Sequence, residues 1–265
     1  GVLGSDFTPD DVRLSMLICG AWTLLFTIPI FIALKDRRPD HVPPSLGIVG
    51  SYRELFRSIR RVGKDNPNTL FFLVASALFR DGLAGVFTFG GVLAAGTFGF
   101  TFGEVVIFGV VANVVAGLAT MLFGLLDDRL GPKRVILFSL GMLVAMGLGI
   151  FYFHDGGKTI FWIFGLGMTL FVGPAQSASR SFLARLIPEG MSGEVFGLYA
   201  TTGRAVSFLA PLMFGLMIAV GVAVTGDAQE SSQHWGILGV VLVLLAGFIV
   251  ALFVKQPQRS EAAQA

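Results

Sequence analysis

From Leu14 to Leu34 the chain runs for twenty-one residues without a charged side chain. Six further stretches are nearly as apolar, at roughly 70–97, 103–126, 135–153, 159–179, 195–222 and 235–254. A helix needs about 20 such residues to cross the hydrocarbon core of a bilayer. The chain therefore reads as an all-α membrane protein with seven transmembrane helices. Composition agrees: 54% of residues are apolar and 14% charged, and mean hydropathy is +0.78, where a soluble domain carries about 25% charge. The lipid bilayer is the first partner this implies. The basic residues fall in short clusters between apolar runs, which is no nucleic-acid footprint. The single Cys19 excludes an internal disulfide and a thiolate metal site. His41, His154 and His234 fall in three separate loops, so no metal or other cofactor is expected.

The first run follows an acidic stretch, Asp6 to Asp11, where a signal peptide would need a basic segment. It reads as a helix start, with Thr8 as N-cap, Pro9 at the first helical position, and Asp10 and Asp11 facing the positive end of the dipole. With Gly1 in first place, the chain reads as a fragment entering a larger polytopic protein, whose missing N-terminal helices would be its partners. Orientation follows from Lys and Arg, which accumulate on the cytoplasmic side. Fifteen of the nineteen fall in the connections after the first, third, fifth and seventh spans, Arg180 and Arg185 among them, against Arg13 and Lys158 opposite. This predicts a multi-pass cell-membrane protein whose fragment N-terminus is outside and whose C-terminus is cytoplasmic.

The connection 35–69 contains Tyr52, Leu55, Phe56, Ile59 and Val62 at helical spacing, with Arg53, Arg57, Arg60 and Arg61 between them. Such a basic amphipathic helix suits the anionic inner leaflet as a membrane-surface linker; a regulatory or partner-docking helix is the other reading.

Between the third and fourth spans stands Gly124-Leu-Leu-Asp-Asp-Arg-Leu-Gly-Pro-Lys-Arg134. Gly124 suits tight helix packing and Gly131 a turn. Asp128 is placed to meet the N-terminal end of a neighbouring helix, and Arg129, Lys133 and Arg134 pin the loop to the cytoplasmic face. The stretch resembles the signature loop of the major facilitator superfamily. That resemblance implies a gating role for Gly124, Asp128, Arg129, Gly131, Lys133 and Arg134, which latch the two transporter halves together. It also implies a register: residues 1–34 carry helix six of twelve, 35–69 are the central cytoplasmic loop, 70–254 are the C-terminal six-helix half and 255–265 a cytoplasmic tail.

A narrower resemblance covers nearly the whole chain. Gly173-Pro-Ala-Gln-Ser-Ala-Ser-Arg-Ser-Phe-Leu-Ala-Arg-Leu-Ile-Pro-Glu-Gly190, with Glu194-Val-Phe-Gly-Leu-Tyr-Ala-Thr-Thr-Gly-Arg204 after it, is similar to the vacuolar effluxer-like family. Its fungal members are tied to autophagy and amino-acid release. Phe79-Arg80-Asp81-Gly82 has Arg80 where relatives tend to have Asn. On this resemblance Arg180, Arg185 and Glu194 belong to a functional cytoplasmic loop.

Ionisable residues inside a span are costly and mark candidate sites. Arg80 and Asp81 lie ten or so residues into their span, about 15 Å deep at 1.5 Å per residue. Arg204 and Asn113 fall at a similar depth, where secondary transporters bind substrate. Asp81 with Arg204 is the leading pair. It either fixes helix packing or handles a proton or substrate amine at Asp81 and a carboxylate at an arginine. Gln176, Ser177 and Ser179 follow Pro174 and either satisfy carbonyls it frees or line the inner vestibule. Glu104 reads as a cap at the edge of its span.

These features predict a secondary active transporter for a small solute, an amino acid or organic acid, working by alternating access with proton coupling. A non-transporting seven-helix receptor or scaffold is the alternative. The chain has no Lys in its last span for a retinal Schiff base and no enzyme motif, so no enzymatic activity is predicted.

Overall fold

The computed structural model describes residues 9–33, 47–187 and 191–256, and every regular element among them is a helix. Seven segments are long and apolar enough to cross a membrane. Residues 1–52 and 53–265 form two compact units. The first holds α1 (Pro9–Ala33), which carries no charged side chain from Leu14 onward. Thr23 and Thr27 turn their hydroxyls back to the carbonyls of Cys19 and Thr23, at 2.8 and 2.6 Å, so no bare hydroxyl faces a hydrocarbon environment. The N-cap expected at Thr8 lies outside the described residues, as do Lys35, Arg37, Arg38 and His41 of the connection, Pro188–Gly190, and Arg259 of the tail.

The amphipathic helix forms as expected, α2 (Ile48–Asp65), and spans the boundary between the units. Within the second unit its Val62 is 2% exposed, and Leu55 and Ile59 pack on the core with it. Tyr52 and Phe56 stay exposed. Its apolar residues thus divide between the bundle and the outside, where a helix lying wholly on lipid was expected.

The bundle follows as α3 (Pro67–Gly96), α4 (Phe102–Leu130), α5 (Pro132–Tyr152), α6 (Gly157–Leu186), α7 (Ser192–Ala205), α8 (Leu209–Thr225) and α9 (Gly236–Phe253). Local chemistry sets the ends. Pro67 and Pro132 open α3 and α5, where a missing N–H costs nothing. Thr101 and Glu104 form a capping box on α4, which bears out Glu104 as a cap, and Lys158 grips the same carboxylate at 2.7 Å. Gly131 joins α4 to α5 at φ +85°, a conformation that favours glycine.

Because lipid tails are as apolar as the side chains, helices in a membrane associate through close fit, not through transfer out of water. Contacts are densest between α5 and α6, α3 and α9, and α4 and α6. Gly239 is needed on α9 because a methyl group there would overlap the Met213 carbonyl of α8. Small residues four apart on α5, Gly141, Ala145 and Gly149, predict a close helix contact, and Gly149 makes one, since a methyl group there would overlap the Phe164 ring of α6. Ala145 is exposed, and Gly147 adds a second contact, with Val241 of α9 and Met168 of α6.

The sixth span is two helices, α7 and α8, separated by residues 206–208. Pro211 explains the break: its ring has no N–H to give the carbonyl of Ser207 and crowds it. Pro29 and Pro174, by contrast, sit inside unbroken helices.

Candidate functional site

Arg80 and Asp81 are neighbours on α3, so their side chains leave the helix about 100° apart and reach different partners. Arg80 Nη1 donates to the Tyr199 carbonyl of α7 at 2.8 Å, and its guanidinium carbon lies 4.0 Å from the centre of the Tyr199 ring, a cation–π arrangement. The Tyr199 hydroxyl is itself hydrogen-bonded to Ser179 of α6 at 2.8 Å. Asp81 is 5% exposed, and its Oδ2 accepts the Ala210 backbone N–H at 2.6 Å. In an unbroken helix that N–H would bond to Val206; here the Val206 carbonyl takes the Leu209 N–H at 2.9 Å. Asp81 therefore stands in for a backbone carbonyl at the first turn of α8, where a carboxylate also meets the positive end of the helix dipole.

The expected Asp81–Arg204 pair does not form. Pro211 opens the helix and frees the Ala210 N–H, which takes the Asp81 carboxylate. Arg204, at the last turn of α7, is exposed, and among the described residues no carboxylate lies within ion-pair distance of it. Nor do the four polar groups of the expected layer meet in one place. Asn113 bonds to the Gly109 carbonyl at 2.8 Å and lines a cavity of about 190 Å³ with Gly90, Gly91, Phe108, Gly109 and Thr169. Arg80, Asp81, Arg204 and Gln176 do not line it. Gln176 is half-buried on α6. Ser179 serves Tyr199 and so does not answer a carbonyl freed by Pro174.

In the Gly124–Arg134 loop, Lys133 donates to the Leu252 carbonyl at 3.0 Å and so caps the C-terminal end of α9. Arg129 and Arg134 are exposed. A methyl group added at Gly124 would meet nothing within 4 Å. Tight packing at Gly124 is therefore absent among the described residues, because its face of α4 has no neighbour. The Asp128 side chain lies outside the described residues. Asp127 is 7% exposed, with an oxygen that has no hydrogen-bond partner among the described residues.

Arg180 and Arg185 are exposed. Glu194, near the start of α7, approaches Arg61 of α2 at 3.7 Å. One contact had no signal in the sequence. His154 and His234, in loops far apart in the sequence, stack face to face with ring centres 3.8 Å apart, because α5 and α9 pack together and their neighbouring turns meet at one end. Among the described residues no group of three or more possible metal ligands forms.

Residues 4–264 match the family model described as vacuole effluxer Atg22 like. The uncharacterised MFS-type transporter YxiO of Bacillus subtilis is 25% identical over 95% of this chain and 56% of its own length. Autophagy-related protein 22 of Coccidioides immitis is 26% identical over 97% of this chain and 45% of its own. The Yarrowia lipolytica protein of that name is 23% identical over 92% and 44%. The chain thus spans about half the length of the curated relatives it matches.

Proposed function

Since the chain belongs to the vacuole effluxer Atg22-like family, we propose that it is the C-terminal part of a secondary active transporter for a small solute with an anionic group, an amino acid or organic acid. Residues 1–34 contribute the last helix of the N-terminal half, 35–69 the central cytoplasmic loop, 70–254 the C-terminal half and 255–265 the tail. The protein spans the cell membrane with its C-terminus in the cytoplasm, as the Lys and Arg bias supports.

One observation carries this reading. Arg204 is an exposed guanidinium on a broken helix within an apolar span, with no acid beside it among the described residues. A cation kept at such cost is a site for an anion. The end of α7 presents Arg204 to the solute's carboxylate. Asp81, the acid at that depth, carries the coupling proton, and the Gly124–Arg134 loop gates the cytoplasmic side. Arg180, Arg185 and Glu194 act at the cytoplasmic mouth, with Gln176 above them on the pathway.

The test is uptake by the full-length protein in proteoliposomes, with radiolabelled amino acids and with organic acids, under an imposed pH gradient. Gradient-driven uptake that Arg204→Ala abolishes supports the reading. Uptake of neither class, or uptake indifferent to Arg204, overturns it.

A further inference from the structure

The α7–α8 break divides one span into two arms with different supports. α7 packs against α3 and reaches α6 through Tyr199 and Ser179. α8 packs chiefly against α9, seated where Gly239 meets the Met213 carbonyl and Gly236 meets the Phe214 ring. The connection between the arms is weak in helical terms. The Val206 and Ser207 N–H groups turn back on Thr202 and Arg204, both at 3.3 Å, and the Ser207 hydroxyl closes on the Arg204 carbonyl at 2.9 Å. The break thus gives partners to the Val206 and Ser207 N–H groups without a continuous helix, which is what a bend must do in an apolar medium.

Among the described residues only α3 holds both arms by charged side chains, and it does so with adjacent residues. Arg80 holds α7 through the Tyr199 carbonyl and ring. Asp81 holds α8 through the Ala210 N–H. We propose that residues 206–208 are a hinge and that Arg80 and Asp81 are positioning residues, each setting one arm independently of the other. Arg204 ends the α7 arm, so a swing of α7 carries that guanidinium while α8 stays on α9. The functional consequence rests on the transport reading above; the hinge does not.

Because neither positioning residue need touch the solute, the test reads geometry. In the full-length protein in nanodiscs, with other cysteines replaced, spin labels at Val74→Cys and Ala200→Cys report the α3–α7 distance. Labels at Val74→Cys and Leu216→Cys report α3–α8. All three sites are exposed. Asp81→Ala is expected to broaden and shift the α3–α8 distribution and leave α3–α7 unchanged, and Asp81→Asn, which keeps an acceptor for Ala210, to restore it. Arg80→Ala is expected to do the reverse. Should Arg80→Ala not fold, Gly203→Ala approaches the same arm from the other side, since its added methyl would stand 2.9 Å from Arg80 Nη1; it is expected to move α3–α7 alone. A merely structural role would loosen both distances together. Equal changes in both pairs, or none in either, overturn the proposal. The measurement needs no substrate, so its failure is distinct from a failure of uptake.

Discussion

Asp81 and Ala210, 129 residues apart in the chain, are joined by a hydrogen bond of 2.6 Å from a backbone N–H to a carboxylate. The bond ties an acid on α3 to the first turn of α8, at the point where a proline has interrupted the helix. With Asp81 occupied by the backbone, Arg204 stays exposed, while Arg80 bonds to Tyr199 on its own face of α3.

Removing the acceptor should leave the Ala210 N–H buried and unmet. Asp81→Ala is expected to destabilise the protein by about 1–3 kcal/mol, the cost of an orphaned buried donor, and Asp81→Asn by less. Denaturation in mixed micelles with increasing sodium dodecyl sulfate measures both. Equal stability of wild type and the alanine variant would show that the bond contributes nothing.

Arg204→Ala separates stability from transport. The side chain is exposed and bonded to no acid among the described residues, so its loss should change stability by less than about 0.5 kcal/mol. Uptake in proteoliposomes should fall at least tenfold. A variant that transports normally would remove the proposed anion site.

Two glycines should respond in opposite ways. Gly239→Val places atoms on the Met213 backbone, which cannot rotate aside, and overpacking of this kind costs about 1–3 kcal/mol or more. Gly124→Ala meets open space and is expected to be neutral or to stabilise α4 by up to about 1 kcal/mol. If Gly124 faces the other half of the transporter, uptake drops while stability holds. Thermal unfolding and uptake of the same two preparations decide both points.

The C-terminal end of α9 is held from two sides. Asn68 exchanges two hydrogen bonds of 2.6 Å with the backbone of Lys255, and Lys133 caps Leu252. Asn68→Ala should cost about 1–3 kcal/mol for the pair of bonds, and Lys133→Ala about 0.5–1.5 kcal/mol. Faster hydrogen–deuterium exchange confined to the last turn of α9 is the expected signature. Unchanged exchange there would deny the caps their role.

Orientation is tested by thiol labelling in intact cells. Asp227→Cys, on the exposed turn after α8, should react with a membrane-impermeant maleimide from outside. Arg57→Cys on α2 should react only after permeabilisation. The opposite pattern would invert the topology drawn from the Lys and Arg bias.

The number of spans, the amphipathic helix at 48–65, the turn at Gly131 and the Glu104 cap were legible in the sequence, because each depends on residues within a turn or two of one another. Apolar length, helical period, glycine at a positive φ and the Thr101–Glu104 spacing are local quantities. Arg80, Asp81 and Arg204 could likewise be singled out, since a charge inside an apolar run is conspicuous without a structure.

Their partners were not legible. Opposite charges at one depth suggested an Asp81–Arg204 pair, but side-chain sequence carries no signal for a backbone N–H as competitor. Pro211 was visible, yet whether a proline bends a helix or severs it depends on what receives the freed groups, and Pro29 and Pro174 lie in unbroken helices. Tertiary packing placed Asp81 against α8 and so allowed the break. The same packing laid His154 on His234 and put Lys133 on α9. The chain alone determined that it crosses a membrane seven times and where its costly charges lie. Which group each charge answers was decided only when α3, α7, α8 and α9 came together, because hydrogen bonds and close fit in an apolar medium depend on positions that sequence distance does not encode.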